Sequence, residues 1–388
     1  MGRTNFNNNS YGNALIYKVA EPLEIAVVEV SANNNPSIPD SVGKLLHMSE
    51  LIDQNRFRLI QLQTTSASLL GEISKIIYNE SGIFILDSKV TNKLAWFDNN
   101  GNFIRAFNLG FRLMKAPIDF DVSSNILSIL DQESQLFTFK LNNKEANLVT
   151  HFKLPFVAGS LKIMDTANIL FFNQSYDYEP YSFLTMNFID TSITGREIPI
   201  KEDFITKFTE RFTIWSSSNK NAFFCSVPNQ DTIYKVEGNT ISPFLNLSFG
   251  KLGLPIEAYD SEADYKRLIY KSRRRSAAYS FETSEYFTGS FAAGLIHWFV
   301  INKRTSSVKV FKSFGDDLTG NVFTHFPIAA YKDSFIQVGS AEVLAKRSID
   351  FQNTPKKTSL QQALTNLIPK NNRRNNPLLL IYLPKNIK

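Results

Sequence analysis

One cysteine, Cys225, is all the sequence contains, so no internal disulfide framework holds this chain together. That suits a reducing cytoplasm, and equally an exported protein that does without disulfides. Cys225 lies within NAFFCSVP, an apolar run in which a buried, inert thiol is expected rather than a nucleophile. Long apolar runs are also missing: the longest, residues 295–301 and 378–383, are strand-length and too short to span a membrane as a helix. The opening MGRTNFNNNSYGN shows no apolar signal core and no cleavage site, and Phe6 stands where a myristoylation motif needs Ser or Thr. Glycines number only 17 and are isolated, forming neither G-x-x-x-x-G-K nor G-x-G-x-x-G, and there is no G-x-S-x-G elbow. The four histidines, His47, His151, His297 and His325, show no pair at metal-ligand spacing. Phosphate-loop, elbow-serine and zinc chemistries are thereby disfavoured.

What is abundant is aromatic. There are 33 phenylalanines and 14 tyrosines, residues that favour strands, in a chain that is 43% hydrophobic and 20% charged and hence globular. The organising stretch is residues 69–110, which reads as four short strands at 73–78, 82–86, 93–97 and 103–108. Between them lie the turns Asn79-Glu80-Ser81-Gly82, Asp87-Ser88-Lys89 and Asp98-Asn99-Asn100-Gly101, whose Ser-Gly and Asn-Gly pairs supply the positive φ of tight hairpins. Four hairpin-linked strands in about 40 residues make one propeller blade.

The pattern recurs. A second unit spans 116–154, a third 160–198, a fourth 211–250 and a fifth 276–315, and a sixth opens at 322–340. FILD ends at Asp87, SILD at Asp131 and LFFN at Asn173, spacings of 44 and 42 residues at the same place in each unit. Residues 255–272 break the rhythm as a helical insertion opened by Pro255, and 359–368 form another. A short helix, HMSELIDQN, is expected earlier, with Ser49 as its cap. The sixth unit lacks strands until 378–383 from the C-terminus and 56–61 from the N-terminus are placed beside each other, which closes the ring and removes open sheet edges. The expected fold is therefore all-β, a six-bladed β-propeller closed by its N- and C-terminal strands. It occupies 56–388, after a flexible segment over 1–20 and a lead-in over 21–55 that holds the strand-like 23–30.

Several of these stretches resemble a six-bladed β-propeller family of unknown function common in Bacteroidota, itself similar to NHL-repeat propellers. The resemblance is carried by SELIDQNRFRLIQLQTTSASLLGEISKIIYNESGIFILD (49–87), APIDFDV (116–122), DTIYKVEGNTISPFLNLSFGKLGLP (231–255) and NNPLLLIYLPK (375–385), in the family's order. It implies a periplasmic or cell-surface protein, since members typically carry a secretory or lipoprotein leader. It implies no catalytic residues. If the N-terminus printed here is native, the cytoplasm is expected instead.

Three functional readings follow. The first is a non-catalytic binding or scaffold module that recognises a protein or a carbohydrate. Loops joining second and third strands, and those joining blades, share one rim, which collects Lys89, Phe111, Arg112, Tyr176, Asp177, Tyr178, Tyr181, Asn229 and Gln230. Exposed tyrosines beside carboxylates suit stacking on sugars or docking a peptide, and suit packing on neighbouring loops equally well. The second is a hydrolase or lyase with a metal in the central channel, as in lactonase-type propellers that ring Ca2+ with carboxylates. Its candidates are Asp119 and Asp121 of DFD, on one strand face, but the other inner strands offer mainly Ser74, Lys75, Lys162, Thr213, Ser280 and Thr324, so no cofactor is expected. The third is polyanion or RNA binding. Residues 341–388 hold nine basic side chains against Glu342 and Asp350, and Lys266–Arg275 add another basic run. Solvated, locally paired charges explain both clusters more simply, so nucleic acid is disfavoured and a monomer is expected.

Overall fold

The computed structural model describes residues 45–107, 115–174, 178–200, 214–216, 222–227, 232–238, 240–246, 280–293, 295–367 and 375–385, together with Ser261, Ala263, Asp264 and Arg267. The chain enters through β1 (Leu46–His47), α1 (Met48–Leu51) and β2 (Ile52–Gln61). Blade 1 is β3 (Lys75–Asn79), β4 (Gly82–Asp87), β5 (Lys93–Phe97) and β6 (Phe103–Phe107). Blade 2 is β7 (Pro117–Ser123), β8 (Ile126–Asp131), β9 (Gln135–Asn142) and β10 (Glu145–Lys153). Blade 3 is β11 (Ala158–Ile163), β12 (Asn168–Asn173), β13 (Tyr181–Asn187) and β14 (Ile193–Pro199). Blade 4 is β15 (Ile214–Ser216), β16 (Ala222–Ser226), β17 (Thr232–Glu237) and β18 (Thr240–Asn246). Blade 5 is β19 (Ser280–Glu282), β20 (Tyr286–Ala293), β21 (Leu295–Asn302) and β22 (Val308–Phe311), followed by β23 (Phe314–Gly315), which pairs with β1. Blade 6 holds β24 (Ala329–Tyr331) and β25 (Ser334–Gly339), then α2 (Ala341–Lys346), α3 (Ser348–Asn353) and α4 (Ser359–Leu367), and finally β26 (Leu378–Pro384).

Its sheet order is β2-β26-β25-β24, so the N-terminal strand is the outermost strand of the last blade. Leu59 pairs with Leu380 and Ile60 with Leu379, antiparallel. The first strands of the blades touch in succession around the channel, β3 to β7, β11, β15, β19, β24 and back to β3. Ring and closure are as the sequence implies.

Period-2 alternation explains why the sheets stack. In β4 every residue of GIFILD is buried, yet Ile83 and Ile85 pack toward blade 6 against Ile336, Leu379 and Ile381, while Phe84 and Leu86 pack toward blade 2 against Phe120, Ile129 and Phe137. Six such clusters fill the interfaces between successive blades. A buried Phe or Leu contributes roughly 1.5–3 kcal/mol, so these interfaces are the main cohesion of the ring.

Two local expectations are corrected. The helix at HMSELIDQN ends after Leu51, because Ile52 already pairs with Pro384 and Asp53-Gln54-Asn55 occupy an irregularity in the ladder before Phe57. Ser49 lies inside that helix rather than capping it; its N–H and hydroxyl both donate to Asp317. The strand expected over 322–331 shrinks to β24, because the Asp316 carboxylate accepts the N–H groups of Thr319 at 2.7 Å and Phe323 at 2.9 Å and folds the segment into a turn. Two helices, α2 and α3, accompany the expected one, which is α4. Of the insertion near 255–272, Ala263, Asp264 and Arg267 are helical, Ser261 is described without regular structure, and the rest lies outside the described residues, as does everything before residue 45.

Blade 1 is bolted onto the closing blade by one side chain. Fully buried Asn376 accepts the Leu70 N–H at 2.8 Å, donates to the Gln63 and Ser68 carbonyls at 2.9 Å each, and gives its own N–H to Thr64 Oγ1 at 2.7 Å. Gly101 completes the seam: its φ is +85°, and a Cβ there would meet the Gln61 carbonyl at 2.5 Å. Asn376→Ala leaves the Leu70 N–H and the Ser68 carbonyl without this partner, while the Gln63 carbonyl keeps the Ser68 hydroxyl, so urea denaturation should show a loss of roughly 2–4 kcal/mol; a loss below about 1 kcal/mol would remove Asn376 from the closure.

Candidate functional site

Strand direction separates two rims. Each first strand runs away from the mouth at which its blade begins, so first-to-second and third-to-fourth turns gather on one rim. Second-to-third and inter-blade connections gather on the other. The first rim carries two-residue turns where Asn79 pairs with Gly82, Ser123 with Ile126, Asn142 with Glu145 and Tyr331 with Ser334, beside turns of three to five residues at 98–102, 164–167, 188–192, 283–285 and 303–307. Asn143 and Lys144 carry φ of 43° and 72°, the positive pair a type I′ turn demands. The opposite rim bears the connections 62–74, 88–92, 154–157 and 174–180, and the helical insertion α2–α4.

Its turns are held from inside. Asp87 ends β4 and accepts the N–H of Gly71 at 2.7 Å and of Val90 at 2.9 Å, and the Thr91 hydroxyl at 2.8 Å, joining its own turn to the incoming inter-blade loop. Asp131 ends β8 and does the same, accepting from Lys115 N–H at 3.0 Å and from Glu133 and Gln135 N–H at 2.9 Å. Asn173 ends β12 and donates to the Glu179 and Tyr181 carbonyls at 2.8 and 3.0 Å. The repeated position thus has a physical role that its spacing alone does not disclose. Burial works to raise the Asp87 carboxyl, but the N–H groups of Val90 and Gly71 and the Thr91 hydroxyl outweigh it and hold it below the ordinary carboxylate range. Beside it the buried Lys93 ammonium donates to the Ala67 carbonyl at 3.0 Å; burial pushes this lysine down, against the pull of Asp87.

On the channel wall, Asp119 and Asp121 lie on one face of β7 and are buried. Asp119 Oδ1 accepts from Lys75 Nζ at 2.6 Å and from Phe120 N–H at 2.8 Å, and its Oδ2 accepts the Leu161 N–H at 2.9 Å. Asp121 Oδ1 accepts from Lys162 Nζ at 2.8 Å and its Oδ2 from Ile163 N–H at 2.9 Å. The two carboxylates stand in for a neighbouring strand: they cap the inner edge of β11 and tie three blades together at the hub. Burial raises the Asp119 carboxyl in spite of Lys75. All four carboxylate oxygens are engaged within the protein, so the metal suggested for these residues has no ligand geometry prepared for it here. Among the described residues, no group of three or more His, Cys, Asp and Glu side chains is placed to hold a metal ion. Cys225 is buried and its thiol is pushed up by burial, with Glu197 adding to the effect.

The rim residues fare unevenly. Lys89 is partly exposed and paired with Glu72. Tyr178 is 44% exposed, its ring 5.8 Å from that of Phe156, while Tyr181 is half-buried in the blade 3 core. Beside them Arg196 holds the Glu179 carboxylate with two hydrogen bonds, at 2.8 and 3.1 Å. Phe111, Arg112, Tyr176, Asp177, Asn229 and Gln230 lie outside the described residues. Sequence reasoning missed the exposed aliphatics of this rim, Leu69, Val90 and Val157. Their signal was slight: single apolar residues inside otherwise polar connections.

Residues 33–383 match a family model described as "Domain of unknown function (DUF4934)". Among solved structures, the chain resembles a "Putative exported protein" of Bacteroides fragilis with a TM-score of 0.67 at 18% identity, covering 88% of this chain and 99% of that one. A member of the DUF4221 family from Bacteroides vulgatus aligns with a TM-score of 0.43 at 9% identity, covering 86% and 99%. The first likeness shows the fold; the second is too distant to add to it. No curated protein matches significantly.

Two stability measurements check this site. Asp119→Ala strands Lys75 at the hub and should cost about 3 kcal/mol or more, whereas Glu342→Ala, which breaks the exposed Lys346 pair, should cost under about 1 kcal/mol; equal losses would refute the hub. For Asp87, the depressed carboxyl means the unfolded state binds its proton first as pH falls. Its contribution is therefore complete above the ordinary carboxylate pKa of about 4 and lost as pH falls through the folded value. Urea midpoints from pH 6 to pH 3 should fall less steeply for Asp87→Asn than for the parent, and identical slopes would contradict the assignment.

Proposed function

The chain belongs to the DUF4934 family, and from its six-bladed fold we infer a non-catalytic binding or scaffold module that recognises its ligand, a protein or a glycan, on the loop-bearing rim. The observation that carries this reading is the asymmetry of the two rims. One carries turns of two to five residues among the described connections. The other carries the long connection 62–74, the helical insertion α2–α4 and exposed Leu69, Val90, Val157 and Tyr178. Loops on a rigid scaffold are where binding residues concentrate.

The alternative readings gain no comparable support. Asp119 and Asp121, the candidates for hydrolase or lyase chemistry, are occupied in joining blades. For polyanion binding, three of the six described basic residues of the two clusters are ion-paired: Arg267 with Asp264, Lys346 with Glu342 and Arg347 with Asp350. An exported location, at the cell envelope, is supported by the resemblance of the sequence to envelope proteins and by the name of the Bacteroides fragilis structure. Among the described residues no helix is long and apolar enough to cross a membrane.

A photo-crosslinking amino acid distinguishes the rims directly. Placed at Tyr178 in the organism that encodes the chain, it should give discrete adducts, and placed at Asn143 on the opposite rim it should give none. Equal adducts from both positions, or adducts from Asn143 alone, would contradict the assignment.

A further inference from the structure

We propose that the interface between blades 5 and 6 binds internal water, held by Gln337, Ser290 and Tyr382. The inference stands apart from the rim reading above. Buried polar atoms in folded proteins are almost always hydrogen-bonded, to the protein or to ordered water. Among the described residues, five buried side-chain atoms have no partner within the protein, and Ser290 Oγ, Gln337 Oε1 and Tyr382 Oη are three of them. Each of these side chains is at most 1% exposed. Strand alternation brings them to one interface. On β20, Tyr286 belongs to the cluster shared with blade 6 and Phe287 to the one shared with blade 4, so Thr288 and Ser290 face blade 6. On β25, Phe335 belongs to that same cluster and Ile336 to the one shared with blade 1, so Gln337 and Gly339 face blade 5. Tyr382 of β26 pairs with Phe335, their ring centroids 6.0 Å apart.

Side-chain size makes room for a guest and limits it. The second strands of blades 1 and 3 send Phe84 and Leu86, or Leu170 and Phe172, into the interface with the next blade. At the corresponding place β20 offers Thr288 and Ser290, so the half nearer the loop-bearing rim is lined by small and polar groups. On one side Phe335 is wedged against Phe281 at 5.1 Å and Tyr286 at 6.1 Å. On the other, the Phe323 ring lies so close that a Cβ on Gly339 would come within 2.4 Å of it. Leu344, Leu360 and Leu364 of the helical insertion join the same cluster, fully buried. A guest enclosed in this way is the size of water. Its chemistry fits too. The Gln337 amide donates to the His325 and Phe323 carbonyls at 2.6 and 3.5 Å, which leaves Oε1 in need of a donor. The neighbouring Thr288 hydroxyl is spent on the Phe281 carbonyl at 3.1 Å. Burial pushes the Tyr382 hydroxyl up and keeps it protonated, so it needs an acceptor. Water is both donor and acceptor.

The test joins a high-resolution crystal structure of the full chain to urea denaturation of three variants. Density for water should stand about 2.7–3.2 Å from Gln337 Oε1 and from Ser290 Oγ, unchanged between crystals grown from two chemically different buffers. Tyr286→Phe removes a hydroxyl that donates to the Lys385 carbonyl at 3.1 Å and serves as the reference for a lost hydrogen bond. Ser290→Ala and Tyr382→Phe should lower the urea midpoint as Tyr286→Phe does, because each takes a partner from bound water. Hydroxyls with nothing to bind would leave the midpoint unchanged or raise it, since their removal ends a desolvation cost. Midpoints unchanged or raised in Ser290→Ala and Tyr382→Phe would overturn the proposal. So would apolar protein atoms in contact with Gln337 Oε1 where the water should stand. Density larger than water that changes with the buffer would overturn water as the ligand and mark a site for a small polar solute.

Discussion

Everything in this molecule depends on β2 lying against β26. A propeller whose first strand found no place in the last blade would expose the outer edge of β26 and separate blade 6 from blade 1. Instead the antiparallel register runs from Phe57 opposite Tyr382 to Gln61 opposite Leu378. Asn376 and Gly101 then fasten the seam at the Gln61–Leu378 end of that pairing. Once the ring is shut, each blade packs on both neighbours, and an interface lost anywhere is felt by the whole circle.

The hub is a different kind of constraint. Three consecutive blades are joined by carboxylates that replace the missing strand on the inner edge of β11, with Lys75 and Lys162 balancing their charge. The interfaces between blades 4, 5 and 6 rely instead on ring packing, such as Phe224 against Phe287 at 5.4 Å and Phe281 against Phe335 at 5.1 Å. Both solutions leave the channel wall committed to cohesion. The rim connections, by contrast, can vary without disturbing the stacked sheets.

Much of this architecture could be read from residue order. Strand alternation and the Ser-Gly and Asn-Gly turns located the strands of blade 1 within a few residues, and the orphaned strand 378–383 demanded a partner from the other end. The limits are equally physical. Ser49 looks like a helix cap because caps are judged locally, yet its partner Asp317 is 268 residues away. DFD looks like a pair of metal ligands until Lys75, 44 residues earlier, and Leu161, 42 residues later, are seen to claim its oxygens. The recurrence of Asp87, Asp131 and Asn173 was visible as a rhythm, but not the loop-locking that explains it. Exposed aliphatics at the rim were the least legible, since exposure is a property of the closed ring.

The closure can be measured most directly by native-state amide hydrogen exchange resolved to single strands. If β2 completes the last blade, the amides of β2 that face β26 exchange as slowly as the central strands β4 and β5 of blade 1, through global opening alone. Exchange in β2 orders of magnitude faster than in β4 would show the N-terminal strand detached in solution, and the closed ring described here would be wrong.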